Sequence, residues 1–337
     1  MTETAIEFRN VVKRYGEAVA VAGIDLAIGK GELVTFLGPS GCGKTTSLRL
    51  IAGLELPTEG QVFIAGRDVS RDPASARNVG MVFQSYALFP HMTVLDNVAY
   101  GPVIRGTAKA QAQARAREIL DQVGLGGLHQ RLPAELSGGQ QQRVAVARAI
   151  VQQPDVILFD EPLSNVDAKL RRKVREEIRS LQRRFGLTAV YVTHDQEEAL
   201  AVSDRIVVMD RGRIAQLGTP ADLYERPATP FIADFIGDAN LIRGTVVQGH
   251  FTAPGLRLNV PGPEGEATLS IRPERITLLP GGPDLVVTAT YLGSRMEYLV
   301  AAQVGEMLVS RPIQEPRLDA GQEVTLHITH TDVSRVA

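Results

Sequence analysis

The feature that most constrains the fold is a glycine-rich segment at residues 38–45, with the sequence Gly-Pro-Ser-Gly-Cys-Gly-Lys-Thr. An apolar run at 32–37 precedes this segment, and a stretch with helical character follows it at 45–52. Glycines let a backbone curl so that its N–H groups point at phosphate oxygens, and a helix N-terminus adds a partial positive charge. The strand–loop–helix order therefore predicts a phosphate-binding loop on an α/β sheet.

The individual positions of this loop have predicted roles. Lys44 is expected to reach the β- and γ-phosphates of a nucleotide, and the Thr45 hydroxyl suits Mg²⁺. Cys42, the single cysteine of the chain, excludes an internal disulfide; its thiol is either unusually acidic or, as we prefer, a small space-filling group. The other candidate phosphate-binding residues are Gly38, Pro39, Ser40, Gly41, Gly43 and Thr46.

A second element consists of an apolar run at 156–159 followed by two carboxylates, Asp160 and Glu161. Ligands of open α/β sheets bind at the carboxyl ends of the strands, which places these carboxylates near the phosphate loop. Asp160 is predicted to hold Mg²⁺, and Glu161 to orient and polarise the attacking water. A strand that ends in acidic residues is often only a solvated turn, but its pairing with a phosphate loop favours catalysis.

The segment Leu-Ser-Gly-Gly-Gln at 136–140 predicts a second anion-binding helix N-terminus, with a helix that runs through Arg148. One nucleotide rarely needs two such sites from one chain. The segment is identical to the signature of the nucleotide-binding subunits of ABC transporters, and the chain resembles this family from residue 5 to about residue 236. The resemblance implies that ATP contacts Ser137, Gly138, Gly139 and Gln140.

The same resemblance implies roles for residues elsewhere in the chain. Tyr15, ahead of the first predicted strands, resembles the aromatic residue that stacks on adenine, although an ordinary half-buried tyrosine is the alternative. Gln84 matches the glutamine that senses Mg²⁺ and the γ-phosphate. His194 matches the switch histidine at a strand end, and Asp167 matches a loop that communicates across a dimer. The implied catalytic residues are Glu161, His194, Gln84 and Lys44, and the implied Mg²⁺ ligands are Thr45, Gln84 and Asp160.

The resemblance also implies partners. Two protomers would pack head to tail, each contributing Ser137 and Gly139 to the ATP of the other. Residues 86–91 would lie near the groove that receives a helix of a membrane subunit, with Leu88, Phe89 and Pro90 at the interface, unless this segment is simply a surface loop. The expected assembly contains a homodimer, two transmembrane permease subunits and, indirectly, a substrate-binding protein.

The pattern of the whole chain predicts two domains. Strand-like and helical runs alternate at first, which predicts an α/β P-loop NTPase domain, with the helical subdomain of an ABC cassette, over residues 1–238. Short strand-like runs then follow, which predicts a small all-β, OB-like domain over residues 239–337. The predicted strands of this domain lie at 241–247, 267–271, 285–292, 298–304, 307–310 and 323–328, with Gly- and Pro-rich separators at 261–265 and 280–283.

The β-rich region resembles the accessory domain of a subset of importer ATPases, on the segments 240–246, 270–274 and 291–293. This subset includes ferric iron, polyamine, phosphonate, sulfate and sugar systems. The segments 163–181, 199–204 and 237–241 look most similar to the ferric iron type. The resemblance therefore implies an ATPase that powers import, with ferric iron as the favoured cargo and the others as alternatives.

Composition and sequence pattern also bear on the partner, the location and the class of ATPase. A formal charge of −2 argues against nucleic acid as the main partner. The start of the chain shows no signal-peptide pattern and no run is apolar enough to span a bilayer, so any membrane process would be served through partners. The resemblance to importer ATPases implies a peripheral position at the cytoplasmic face of the cell membrane. A soluble ABC ATPase of translation or DNA repair would carry a second cassette or a long coiled coil, and Glu161 argues against a regulatory module without turnover.

Overall fold

The computed structural model describes residues 3–163 and 168–336, and it divides the chain into two compact units, Met1–Pro220 and Ala221–Ala337. The strands of the first unit are β1 (Thr4–Tyr15), β2 (Ala18–Gly29), β3 (Leu33–Leu37), β4 (Glu59–Ile64), β5 (Arg67–Asp68), β6 (Val79–Val82), β7 (Val156–Asp160), β8 (Ala189–Val192), β9 (Arg205–Asp210) and β10 (Arg213–Gly218). Its helices are α1 (Lys44–Ala52), α2 (Val94–Ile104), α3 (Lys109–Gln122), α4 (Gly138–Ile150), α5 (Ala168–Phe185) and α6 (Gln196–Val202).

The main sheet of the first unit has the strand order β10-β9-β3-β8-β7-β6. Strands β9, β3, β8, β7 and β6 are parallel, and β10 is antiparallel to β9. Every residue of β3 is buried, as expected for a parallel strand that is covered on both faces. The order of these strands confirms the predicted α/β fold class.

The two faces of the main sheet pack against different layers. On one face, α1 and the antiparallel sheet β2-β1-β4-β5 contribute to a core that includes Val156 and Leu158 of β7. On the other face, Ile157 and Phe159 pack with α4 and α5. Helix α5 buries an apolar stripe on this side although most of its residues are charged or polar, because its apolar residues recur at helical spacing.

Helices α2, α3 and α4 form a separate helical layer with its own apolar core. Leu95 and Val98 of α2 pack with Leu120 of α3 and Val144 of α4. The predicted helix over 108–123 is α3, and the predicted signature helix is α4, which extends to Ile150. Helix α4 therefore joins the helical layer to the main sheet.

The second unit is almost entirely antiparallel β-structure after two short helices, α7 (Pro220–Glu225) and α8 (Pro230–Phe235). One sheet has the order β13-β12-β11-β14-β19 and the other has the order β17-β16-β15-β18. The strands are β11 (Asn240–Val247), β12 (His250–Ala253), β13 (Leu256–Asn259), β14 (Gly265–Ile271), β15 (Thr277–Tyr291), β16 (Arg295–Ala302), β17 (Gly305–Pro312), β18 (Glu323–His327) and β19 (Val333–Val336).

The β-rich region confirms the predicted all-β class but differs in two details. The predicted separator at 280–283 lies inside β15, where the pairing with β18 shifts register between Pro280 and Asp284. A bulge of this kind accommodates Pro and Gly residues without ending the strand. Strands β12, β13 and β19 were not predicted, because each is short and flanked by turn residues.

The compact units divide after Pro220, whereas the change in sequence pattern lies near residue 238. Helix α8 accounts for this difference, because it packs against β11 and β14 of the second unit. Pattern reasoning grouped α8 with the preceding helices since helical periodicity does not reveal what a helix packs against. The division of function between 1–238 and 239–337 stays a prediction.

Candidate active site

Four parallel strands bring the predicted site residues to one edge of the main sheet. Strand β3 leads into the glycine-rich loop, β6 ends just before Gln84, β7 ends at Asp160 and β8 ends just before His194. The pairing register aligns these ends, since Asp160 pairs with Val192 of β8. Sequence reasoning predicted the edge; the strand order shows that β3 and β7 both flank β8.

The glycine-rich loop needs glycine at two positions where the backbone passes close to its neighbours. Gly38 has φ +157° and Gly43 has φ +106°. A Cβ at Gly38 would lie 2.3 Å from the carbonyl oxygen of Met209, and one at Gly43 would lie 2.4 Å from that of Ala20. Backbone atoms cannot move out of the way of such a contact, so the loop sequence fixes the shape of the phosphate-binding turn.

Lys44 is held inside this loop. Its side chain is 6% exposed, and its Nζ donates hydrogen bonds to the carbonyl oxygens of Gly38 at 2.7 Å and Pro39 at 2.9 Å. The ammonium group is therefore positioned at the N-terminus of α1, where its charge adds to the partial positive charge of the helix. Gly43, which precedes α1, provides no side chain to cap the first turn. This arrangement suits an anionic phosphate group.

The other loop residues surround this position. Cys42 is 4% exposed, and burial raises the pKa of its thiol. Its role as a small space-filling residue fits this environment, and an acidic thiol does not. Ser40 and Gly41 are exposed at the tip of the loop, and Thr45 and Thr46 are half-buried in the first turn of α1.

Two carboxylates and a histidine lie at the ends of β7 and β8. Burial raises the pKa of Asp160, the charge of Glu161 raises it further, and the charge of Arg49 opposes the shift. His194 Nδ1 lies 3.2 Å from Glu161 Oε2, and the Glu161 backbone N–H donates to Val192 O at 3.1 Å. Glu161 adopts a left-handed φ of 45°, which turns its side chain away from the course of the strand. Glu161 and His194, which both have implied catalytic roles, are thus in contact.

Tyr15 corrects one expectation: it is the last residue of β1 and does not precede the first strand. Its ring is 45% exposed, and Lys13 Nζ lies 4.9 Å from the ring centroid. Burial and hydrogen bonding to Glu55 raise the pKa of the phenol, while its hydrogen bond with Thr46 lowers it. The contact with Thr46 places the exposed ring beside the first turn of α1, where a nucleotide base could stack on it.

The Ser-Gly-Gly-Gln segment begins α4 with a capping box. The Ser137 hydroxyl accepts a hydrogen bond from the Gln140 N–H at 3.4 Å, and the Gln140 side chain accepts one from the Ser137 N–H at 2.9 Å. Ser137 and Gly138 are exposed, and Gly139 is buried. The capping box fixes the end of the helix while leaving its first turn accessible to a second molecule. Asp167, the remaining predicted contact, lies outside the described residues.

Comparisons with known proteins agree with this geometry. Residues 21–164 match the family model described as ABC transporter, and residues 269–335 match that of the TOBE domain. The Fe(3+) ions import ATP-binding protein FbpC of Brucella abortus (strain 2308) is 53% identical over 334 residues, which cover 96% of this chain and 95% of that protein. The chain belongs to the ATP-binding proteins of ABC transporters. It is an ABC transporter ATPase that binds ATP.

Two further comparisons cover the whole chain and the ATPase unit. The protein of the same name from Escherichia coli (strain K12) is 48% identical over 330 residues, covering 96% of this chain and 95% of that protein. A dimeric, post-hydrolysis structure of the ATP-binding cassette MJ0796 bound to ADP and Pi matches with a TM-score of 0.56 and 33% identity, over 64% of this chain and 98% of that one. The solved cassette thus corresponds to about the length of the first unit.

This ABC ATPase carries an apolar groove of about 550 Å³ beside Gln84. Phe83, Phe89, Tyr100 and Ile104 line it, and Ile104 is 68% exposed. The rings of Phe89 and Tyr100 lie 4.7 Å apart. Of the three predicted interface residues, Phe89 lines the groove, Pro90 is exposed and Leu88 packs against the apolar core.

Sequence reasoning missed two residues that organise this ABC ATPase. Arg148, in the last turn of α4, donates to the carbonyl oxygens of Tyr86 at 2.9 Å and Ala87 at 2.7 Å, both of which have left-handed φ angles. Glu198, in α6, is buried beside His194. Each residue follows a recognised motif by a few positions, but this proximity does not indicate which groups the residue contacts.

Among the described residues, no helix has both the length and the apolar composition of a membrane-crossing segment.

Proposed function

We propose that this chain is the ATP-hydrolysing subunit of an importer for ferric iron, acting as a homodimer at the cytoplasmic face of the membrane. The observation that supports ferric iron as the cargo is the similarity to Fe(3+) import ATP-binding proteins, which extends over 96% of the chain, including the TOBE region. Polyamine, phosphonate, sulfate and sugar importers are the alternatives that the test below separates.

In this proposal the loop, the α1 N-terminus and Lys44 bind the phosphates of ATP, and Tyr15 stacks on the adenine. The donor set at the sheet edge fits Mg²⁺, because the Thr45 hydroxyl, the Gln84 amide oxygen and the Asp160 carboxylate are hard oxygen ligands. Asp160 is half-buried at the end of β7, and a nearby cation would offset the cost of burying its charge. When bound, Mg²⁺ neutralises charge on the phosphate oxygens.

Hydrolysis is assigned to the pair at the ends of β7 and β8. The Glu161 carboxylate orients and polarises the attacking water, and His194, 3.2 Å from it, holds the carboxylate and the γ-phosphate region in register. Gln84, at the end of β6, links this region to the groove that begins with Phe83.

Two protomers close over two ATP molecules in this proposal. The first turn of α4, where Ser137 and Gly138 are exposed, brings Ser137 and the backbone of Gly139 to the γ-phosphate bound by the partner protomer. Asp167 communicates across the interface. Hydrolysis removes the γ-phosphate contacts and releases the dimer, which makes ATP a ligand that biases a two-state switch. The dimeric state of the MJ0796 cassette supports this arrangement.

In each protomer, the apolar groove is the proposed docking site for a helix of one permease subunit. Two permease subunits would thus bind the dimer, and a substrate-binding protein would supply them with cargo. An apolar surface lined by aromatic residues beside a ligand-sensing glutamine suits a partner helix better than it suits water. The closing and opening of the dimer would move this groove and thereby the permease.

Uptake of radioactive iron tests the cargo. Cells that carry this chain with its transport partners are compared with cells that carry Lys44→Ala, in parallel with labelled spermidine, sulfate, a phosphonate and maltose. We expect only ferric iron uptake to depend on Lys44. Lys44-dependent uptake of another solute without iron uptake would refute the proposed cargo and leave the ATPase assignment standing.

Light scattering of the purified chain tests the dimer. We expect Glu161→Gln with ATP and Mg²⁺ to form a dimer holding two ATP molecules, because binding remains while hydrolysis is blocked. Glu197→Gln, which removes an exposed carboxylate from the same unit, is the matched control and should hydrolyse ATP without accumulating the dimer. A Glu161→Gln protein that binds ATP and stays monomeric would contradict the mechanism.

A further inference from the structure

The turn that carries His194 presents a problem of orientation. The His194 side chain is 64% exposed, so packing does little to fix its rotamer. Its contact with Glu161 is at 3.2 Å and requires the turn at 193–195 to be held in one conformation. The residues on either side of His194 therefore have to provide the rigidity that His194 lacks.

Both flanking residues are tied down. The Thr193 hydroxyl donates to Glu198 Oε2 at 2.8 Å and accepts from the Asp195 N–H at 3.0 Å. The Asp195 carboxylate accepts from the Glu198 N–H at 3.1 Å as the N-cap of α6. Together these bonds form a closed ring around the turn, in which Glu198 takes part through both its side chain and its backbone.

The Glu198 carboxylate is an unusual group for this place. The residue is 4% exposed, and its Oε2 also accepts a hydrogen bond from the fully buried Tyr191 hydroxyl at 3.1 Å. Burial raises the pKa of Glu198, the Thr193 hydrogen bond opposes that shift, and the charges of Asp195 and Arg171 act in opposite directions. Burying a carboxylate costs free energy unless hydrogen bonds compensate, so the hydrogen bonds of Glu198 are needed to keep it in this position.

Apolar packing attaches α6 to the sheet, and the carboxylate adds one hydrogen bond to it, from Tyr191 of β8. Ala199 and Val202 on the same helix are buried, and α6 packs against β3 and α5. The carboxylate also points to the turn before the helix, where Glu161, Thr193 and His194 line a small cavity of about 70 Å³. One hydrogen bond of Glu198 thus reaches β8 through Tyr191, and its bonds with Thr193 and Asp195 hold the turn that carries His194.

We propose that the buried Glu198 carboxylate holds the turn that carries His194, so that Glu198 is a positioning residue for ATP hydrolysis. The proposal rests on the hydrolytic role assigned to His194 above. Glu198 does not touch the nucleotide; it fixes Thr193 and, through Thr193, the backbone of the next residue. Loss of this hold should slow turnover while leaving the phosphate loop and Tyr15 able to bind ATP.

The first experiment measures kcat and KM for ATP in Glu198 variants. Glu198→Met removes the acceptor and is expected to lower kcat about tenfold or more, with KM within about threefold of the parent. Glu198→Gln keeps an oxygen acceptor and is expected to restore kcat to within about threefold. Glu197→Met is the matched control on the exposed side of α6, and its kcat and KM should be unchanged. An unchanged kcat in folded Glu198→Met would overturn the proposal.

The second experiment asks whether the effect passes through His194. Thr193→Val is nearly isosteric and removes only the hydroxyl, which donates to Glu198 and accepts from the Asp195 N–H. This variant keeps the test available if Glu198→Met does not fold. We expect Thr193→Val to slow turnover about tenfold in the parent and to have almost no further effect in His194→Ala, because residues that act as a unit are not additive. An equal loss in both backgrounds would mean that Thr193 acts independently of His194, which overturns the proposal.

These outcomes separate the inference from the proposed function. Near-normal turnover of His194→Ala would refute the assigned role of His194 itself. Slow His194→Ala with near-normal Thr193→Val and Glu198→Met would refute only the positioning role of Glu198.

Discussion

Arg272 provides the sharpest test of how the second unit is built. Its guanidinium, on a residue that is 4% exposed, donates to Tyr224 O at 2.8 and 3.1 Å, to Ala233 O at 2.8 Å, to Gly237 O at 2.9 Å and to Asp238 O at 3.1 Å. Its Cζ also lies 4.0 Å from the centroid of the Tyr224 ring. A single side chain after β14 thus binds α7, the end of α8 and the segment that leads into β11.

The magnitude follows from what Arg272→Met would leave behind. Four carbonyl groups would lose their donor, and an unsatisfied buried acceptor costs about 1–3 kcal/mol. Water would reach some of them, and the cost of burying the guanidinium, which lowers its pKa, would be relieved. We therefore expect a net loss of about 3 kcal/mol, which corresponds to roughly 10–20 °C in the melting temperature of a unit of this size.

Calorimetry of the full chain and hydrogen exchange of the α7 and α8 peptides measure the effect. Arg272→Lys should be nearly as destabilising as Arg272→Met, because an ammonium group cannot reproduce the planar fork of donors. Arg275→Met is the control, since Arg275 is less buried and makes one long hydrogen bond, to Thr331 O at 3.4 Å. A loss below about 1 kcal/mol for Arg272→Met, with unchanged protection of α8, would refute the reasoning.

Three further predictions concern the first unit and the boundary. Lys44→Ala should weaken ATP binding at least about tenfold in calorimetric titrations with an unchanged circular dichroism spectrum, since it removes one charge-assisted phosphate contact; equal affinity would contradict its role. Burial alone would raise the pKa of Asp204, but hydrogen bonds from Arg179 and the Leu33 N–H lower it overall. The ionised carboxylate therefore stabilises the fold fully above about pH 4, and this stabilisation is lost as the pH falls through the lowered pKa. Asp204→Asn should therefore cost about 1–3 kcal/mol in urea unfolding at pH 7 and much less in acid; an equal cost at both pH values would contradict the assignment. Chains ending at Pro220 or at Gly237 should both hydrolyse ATP. The chain ending at Gly237 should aggregate more, because it keeps α8 but lacks the strands β11 and β14 against which α8 packs. Equal solubility of the two chains would count against the division after Pro220.

The sheet edge that gathers the candidate site residues was predictable because its signals are local and ordered. The phosphate loop, the Asp160–Glu161 pair and His194 each follow a short apolar run, and a parallel sheet brings such ends to one edge whatever the strand order. The hairpin of β1 with β2 and the long-range pairing of β1 with β4 were not predictable in the same way. Tyr15 was therefore placed ahead of the first strand, although it ends β1.

The residues that hold the site in shape were missed for a physical reason. Glu198 and Arg148 act through contacts that depend on how α6 and α4 pack. Neither the residue type nor the position in the sequence indicates their hydrogen-bond partners. A glutamate near the start of a helix usually interacts with the helix N-terminus in solvent. Only the burial of Glu198 distinguishes it from its exposed neighbour Glu197.

Arg148 and Glu198 each attach a segment that carries a candidate site residue to a helix. Arg148 ties the backbone at residues 86 and 87, just after Gln84, to the C-terminal turn of the helix that begins at Ser137. Glu198 ties the turn at 193–195 to α6. The segments expected to respond to the γ-phosphate are therefore attached to helices rather than to flexible loops. A displacement of the first turn of α4 would be transmitted along a rigid helix to the apolar groove lined by Phe89.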